Sequence, residues 1–401
     1  MMHRAGNMRS TADERWLILA VLFLARTAIG FQFQAVAAVS PLVLAGLGIN
    51  YAQLGLLIGL YLLPGIVIAY PGGWLGQYFG DRRACIFGLA LMVAGGLLMA
   101  AGTGYSSIFA GRLIAGIGAV IANVLLTKMA TDWFVGREIG TALALLVSSW
   151  PIGIGIALVT LPRLALHASV SVAFATTGAA AALVLVLIAA IYRLPPVATT
   201  ASSATGAEAS RLSPRELGLV SLAGGVWMLF NVGYILVVSF GPSLLVAKGW
   251  SATAANSAVS LMSWTIVVTI PLGGVLIDRL GRATLLMIAS FAAFGLGTVL
   301  MPFAPSAGLI AFVGAVAGLP AAAMMVLPSE VLSKQNRAVG MGVFFTWYYA
   351  GMALLTPAAG VLRDASGAVG APLYFAGGLQ FAALAVLVAF RLSQHRFETV
   401  G

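Results

Sequence analysis

The chain has 401 residues, of which 61% are apolar and 8% charged, with 21 Lys and Arg against 11 Asp and Glu and a mean hydropathy of +1.04. A soluble domain spends about a quarter of its residues on charge. This composition therefore excludes a water-soluble fold of this size, and its apolar content excludes disorder; what remains is an all-α polytopic membrane protein.

A hydrocarbon core about 30 Å thick takes roughly 20 helical residues to cross. In chain order, the segment up to Arg15 mixes Asp13 and Glu14 with arginines and reads as a short tail rather than a cleaved signal peptide. Six spans follow near 16–44, 51–78, 84–103, 105–130, 138–162 and 168–192. Residues 194–214, with Pro195, Pro196 and the run Thr199-Thr200-Ala201-Ser202-Ser203, cannot cross a membrane and read as a flexible cytoplasmic linker. Six more spans are expected near 216–246, 252–277, 284–302, 306–332, 338–361 and 370–391. The expected organisation is one six-helix bundle over 1–193, the linker over 194–214, and a second six-helix bundle over 215–401.

The net charge of +10 could serve nucleic acid or topology. With the N-terminus inside, sixteen of the Lys and Arg, from Arg4 to Arg396, fall at cytoplasmic ends, and only Arg163, Lys248 and Arg363 fall outside. That bias is the positive-inside rule. It leaves no continuous basic patch for nucleic acid, and it places both termini in the cytoplasm of a cell inner (plasma) membrane. The single cysteine, Cys85, and the scattered His3, His167 and His395 offer no metal site. No cofactor is expected, no enzyme active site is visible in the short loops, and a monomer in the bilayer is the expected state.

The two halves repeat. A shift of about 200 residues lays Pro71-Gly72-Gly73-Trp74 on Pro271-Leu272-Gly273-Gly274, Pro41 on Pro242, and Arg137 and Gly140 on Arg337 and Gly340. Parallel repeats of this kind place a solute site near the midplane, between halves that can rock.

Gly274-Val275-Leu276-Ile277-Asp278-Arg279-Leu280-Gly281-Arg282 resembles the Gly-x-x-x-Asp-Arg-x-Gly-Arg loop of the major facilitator superfamily. Arg112-Leu113-Ile114-Ala115-Gly116-Ile117-Gly118 is similar to that family's Arg-x-x-x-Gly-x-Gly pattern in the fourth span. The resemblance implies two six-helix bundles and alternating access. In the first half the loop is degraded, with Gln77, Tyr78 and Asp81 at its Asp, first Arg and last Arg positions. The cytoplasmic gate is therefore expected to rest on Asp278, Arg279 and Arg282, with Asp132, Arg137, Glu330 and Arg337 as further ion-pair members. The competing reading makes the last four ordinary interface charges.

A charge deep in a span is costly and marks a site. Arg26 and Arg112 qualify, and no Asp, Glu or Lys lies comparably deep. Two unpaired guanidiniums suit a carboxylate or similar oxyanion. Arg112 could instead serve packing, and Arg26 could pair with backbone carbonyls freed near Gly30. Helical spacing puts Gly30, Phe33 and Ala37 on the face of Arg26, with Gln34 at its edge, and Gly116, Ala119 and Asn123 on that of Arg112. Trp150-Pro151-Ile152-Gly153 is expected to break the fifth span and turn an aromatic to the path. The second half contributes Asn231, Tyr234, Trp264, Trp347, Tyr348 and Tyr349.

The functional expectation is a secondary active transporter of a small anionic solute working by alternating access, with some similarity to carriers of the cyanate-type and oxalate-type branches. The alternative is an exporter of hydrophobic drugs or metabolites, which would want a buried acid for cationic cargo.

Overall fold

The structure is a computed structural model that describes residues 2–68, 76, 78–134, 138–195, 212–333 and 335–398. Among the described residues the secondary structure is helical, without a strand. Lipid cannot hydrogen-bond a peptide group, so a chain this apolar must satisfy its backbone within each segment.

The first expected span comprises α1 (Met2–Phe33), α2 (Ala35–Ala38) and α3 (Ser40–Leu47), interrupted at Gln34 and Val39. The second begins as α4 (Tyr51–Gly59), breaks over Leu60–Pro64, and resumes as α5 (Gly65–Ile68). Then come α6 (Asp81–Ala101), α7 (Tyr105–Phe134), α8 (Ile139–His167) and α9 (Val170–Ile191). After residue 212 the order is α10 (Pro214–Ala247), α11 (Ala252–Leu280), α12 (Ala283–Leu300), α13 (Ala307–Gly318), α14 (Ala321–Val331), α15 (Arg337–Ser366) and α16 (Ala371–Glu398). Among the described residues eleven stretches are long and apolar enough to span, with α13 and α14 counted as one. The interrupted α4–α5 segment occupies the remaining place, in keeping with twelve expected crossings. Pro71–Leu75 and most of the linker lie outside the described residues.

Helix starts follow capping chemistry. Asn50 and Gln53 form a reciprocal capping box at α4, and Ser213 and Glu216 form another at α10. Ser169, Ser251 and Ser306 each accept the N3 amide of α9, α11 and α13.

The helices pack in two groups. In the first, α1 lies against α7, α8 and α9, and α6 against α7 and α9. In the second, α10 lies against α11, α15 and α16, α11 against α13, and α12 against α16. The groups meet along α4 with α15 and α8 with α11, with smaller contacts of α2 on α10 and α5 on α15. Successive spans run antiparallel. The starts of α1 and α10 therefore share one end of the bundle, called here the terminal end; the opposite end is called distal.

Candidate substrate cavity

A cavity of about 140 Å³ lies between the two groups. From the first group it is lined by Arg26 and Ile29 of α1, Ala119 and Asn123 of α7, and Trp150 and Pro151 of α8. From the second come Trp227, Phe230, Asn231 and Tyr234 of α10, Ile266 and Ile270 of α11, and Phe345, Tyr348, Tyr349 and Met352 of α15. The wall on that side is aromatic: Trp227 stacks on Phe230 and Phe344 at 6.4 and 6.1 Å and lies tilted 6.4 Å from Tyr348.

The two deep arginines have opposite surroundings. Arg112 is fully buried and spends its donors on backbone: Nε donates to Leu57 O at 2.8 Å, Nη2 to Ile58 O at 3.0 Å, and Nη1 to Gln32 O and Phe33 O, each at 3.0 Å. Those carbonyls stand at the C-terminal ends of α1 and α4, where the helix breaks leave acceptors without intrahelical donors. The guanidinium also lies 4.5 Å from the Tyr61 ring centroid and 5.8 Å from that of Phe33. Arg112 therefore closes the breaks in the first two spans and is not among the residues lining the cavity.

Arg26 does line it. Its Nε is buried without a hydrogen-bond partner, and no carboxylate is among the lining residues. Carbonyl pairing, an alternative open for Arg26, is realised at Arg112 instead.

The structure brings together Arg26, Asn123, Trp150, Asn231, Tyr234 and Tyr348. It does not bring Gln34, Arg112, Trp264 or Trp347 to the cavity. Gln34 sits in the first-span break, so the face expected to run from Arg26 to Ala37 ends at Phe33; its Nε2 donates across the groups to Val238 O at 2.9 Å. Trp264 packs at the α8–α11 contact beside Gly155, and Trp347 is 43% exposed beside Gly224. Pro151 does not break the fifth span, because α8 runs through it. Trp227 is a further lining residue. Its signal was legible: Trp227, Asn231 and Tyr234 are spaced for one helix face.

At the terminal end the expected gate charges do not meet across the groups. Asp132 and Asp81 both pair with Lys128, the former at 3.1 Å, and Glu330 pairs with Arg391. Asp278, Arg279, Arg282 and Arg337 are exposed and form no ion pair among the described residues. Arg137 lies outside the described residues. Among the described residues, the hydrogen bonds seen to join the groups outside the cavity lie toward the distal end. There the Asp364 carboxylate accepts Tyr51 N at 3.1 Å and Ala52 N at 2.8 Å, Arg363 Nη2 donates to Tyr51 Oη at 2.7 Å, and Arg163 Nη2 donates to Ser257 Oγ at 3.4 Å.

The sequence profile of the Major Facilitator Superfamily matches residues 22–246 and 217–400, which together span nearly all of the chain. The chain belongs to the Major Facilitator Superfamily. A lysosomal dipeptide transporter, MFSD1 of Danio rerio, is 22% identical over 94% of this chain and 87% of its own. The 3-(3-hydroxy-phenyl)propionate transporter of Escherichia coli (strain K12) is 27% identical over 94% of this chain and 95% of its own. The crystal structure of a D-xylose-proton symporter superposes with a TM-score of 0.72 at 17% identity, covering 92% of this chain and 97% of that one. As a superfamily member the protein is a multi-pass secondary transporter rather than an enzyme.

Proposed function

We propose that the protein carries a small organic anion by alternating access, the two helix groups rocking about the cavity. The observation that carries this reading is Arg26: a cation facing the cavity between the two helix groups with no lining carboxylate to balance it. A buried charge must be paired or it costs several kcal/mol, and an anionic solute supplies the partner. A cavity near 150 Å³ holds a benzene-sized group, and the aromatic wall suits a flat apolar body. The relative that carries a hydroxyphenylpropionate is consistent with both features. The basic residues at the terminal end support cytoplasmic termini in a plasma membrane.

Thermal unfolding of the purified protein against small carboxylates, their neutral amides and hydrophobic cations tests this, because a ligand of the folded state raises its melting temperature by mass action. Carboxylates are expected to stabilise and their amides not. Arg26→Ala should weaken carboxylate binding by roughly a hundredfold or more, the scale for losing one partner of a desolvated charge pair, with the unliganded melting temperature unchanged. Stabilisation by neutral aromatics or cations alone would replace the anion reading with that of an exporter of hydrophobic compounds.

A further inference from the structure

Resting on the anion reading, we infer that the cavity selects carboxylates that also carry a neutral hydrogen-bond donor, a hydroxyl set apart from the acid group, and that Asn123 reads that donor. Among the described residues, three side-chain atoms of cavity-lining residues are buried with no hydrogen-bond partner: Arg26 Nε, Trp227 Nε1 and Asn123 Oδ1. Some other polar groups of the wall are engaged, and the Asn123 side chain also meets Tyr349 in a hydrogen bond. Tyr234 Oη is 3.1 Å from Ser263 Oγ, and Asn231 Nδ2 donates to Trp227 O at 2.7 Å. A buried polar atom without a partner is an unfilled position, since nearly all such groups in folded proteins are satisfied.

The three unfilled positions differ in kind. Arg26 Nε and Trp227 Nε1 are donors and want acceptor oxygens, which a carboxylate provides. Asn123 Oδ1 is an acceptor and wants a donor, which an ionised carboxylate lacks. A solute filling all three therefore has an anionic end and a separate N–H or O–H. The charge count decides which. With no acid among the lining residues, an ammonium would leave two cations sharing one carboxylate in a low-dielectric site. A hydroxyl leaves one cation against one anion.

The test is binding of two matched pairs to the purified full-length protein by calorimetry. One pair is 3-phenylpropionate and 3-(3-hydroxyphenyl)propionate; the other is a dipeptide with its amine free or acetylated. The hydroxylated acid is expected to bind at least about tenfold tighter than its parent, because a site built around a hydrogen bond discriminates against the analogue lacking it. In Asn123→Ala or Asn123→Leu the ratio of the two affinities should fall to about one, with the variant's fold checked by its unliganded melting curve.

Equal affinity of the two acids for the wild type would overturn the inference and leave the anion reading standing, whether or not the variants fold. So would an undiminished preference in a folded Asn123 variant. Tighter binding of the free dipeptide than of either phenylpropionate would overturn the neutral donor. If no carboxylate of either pair binds, the reading of Arg26 itself falls, and this one with it.

Discussion

Arg26 and Arg112 are the same side chain in the same solvent, and their environments give them different tasks. Arg112 presents a fork of donors to four carbonyl oxygens exposed by helix breaks. Take the guanidinium away and those acceptors have neither water nor a neighbouring amide to turn to. Each buried acceptor left unpaired costs about 1–3 kcal/mol, so Arg112→Leu is expected to lower stability by several kcal/mol and to melt well below the wild type. Arg112→Lys should recover little, because an ammonium cannot span the same geometry. Arg26→Ala is expected to do the reverse, losing carboxylate binding while retaining the melting temperature. Unliganded melting curves of the three variants decide it, and an Arg112→Leu protein as stable as the wild type would count against this assignment. Sequence depth identified both arginines. It could not separate them, because the distinction lies in breaks at Gln34 and at Leu60–Pro64 that helical periodicity does not announce.

At the scale of elements, the α4–α15 contact shows how the spans close on one another. Gly55 and Gly59 lie one turn apart on α4, the small-residue spacing that lets membrane helices approach closely. A Cβ on Gly55 would stand 2.7 Å from Thr356 O, one on Gly59 3.0 Å from Ala353 O, and one on Gly360 would meet the carbonyl of Tyr51. Backbone therefore packs directly on backbone, and there is no flexible side-chain end to move aside. Gly55→Leu is expected to push α4 off α15 and admit water at the distal end, raising distal labelling of the cavity without abolishing folding. Unchanged labelling would show that the helices can slide to accommodate it. The glycines were legible in the sequence, but the face they meet was not. The span count was readable because hydropathy alone dictates it. The sequence suggests a break at Pro151, whereas α8 accommodates the proline within a continuous helix.

At the scale of the molecule, the hydrogen bonds seen between the groups outside the cavity, among the described residues, lie toward one end. Asp364 places a carboxylate on the amides that open α4, where a helix N-terminus favours negative charge, and Arg363 lies 3.7 Å over the Tyr51 ring beside it. At the terminal end the four ion pairs found among the described residues each stay within one group. On the proposed alternating-access reading this is the pattern of a carrier shut distally, with Asp364 holding that state. On that reading the exposed Asp278, Arg279 and Arg282 lie at the end that closes when the distal end opens. Removing the Asp364 carboxylate forfeits charge-assisted hydrogen bonds worth about 2 kcal/mol, or roughly thirtyfold in the ratio of the two states. Cys85 is the sole cysteine of the chain and is buried, and Ile235 of α10 also lines the cavity, so a Cys85→Ala background carrying Ile235→Cys reports on the cavity alone. In that background an impermeant thiol reagent should label from the terminal side. Adding Asp364→Ala should raise labelling from the distal side by about an order of magnitude and lower it from the terminal side, the joint change a population shift demands. Distal labelling that stays at its starting level in Asp364→Ala would mean that the apolar contact of α4 with α15 closes this end by itself.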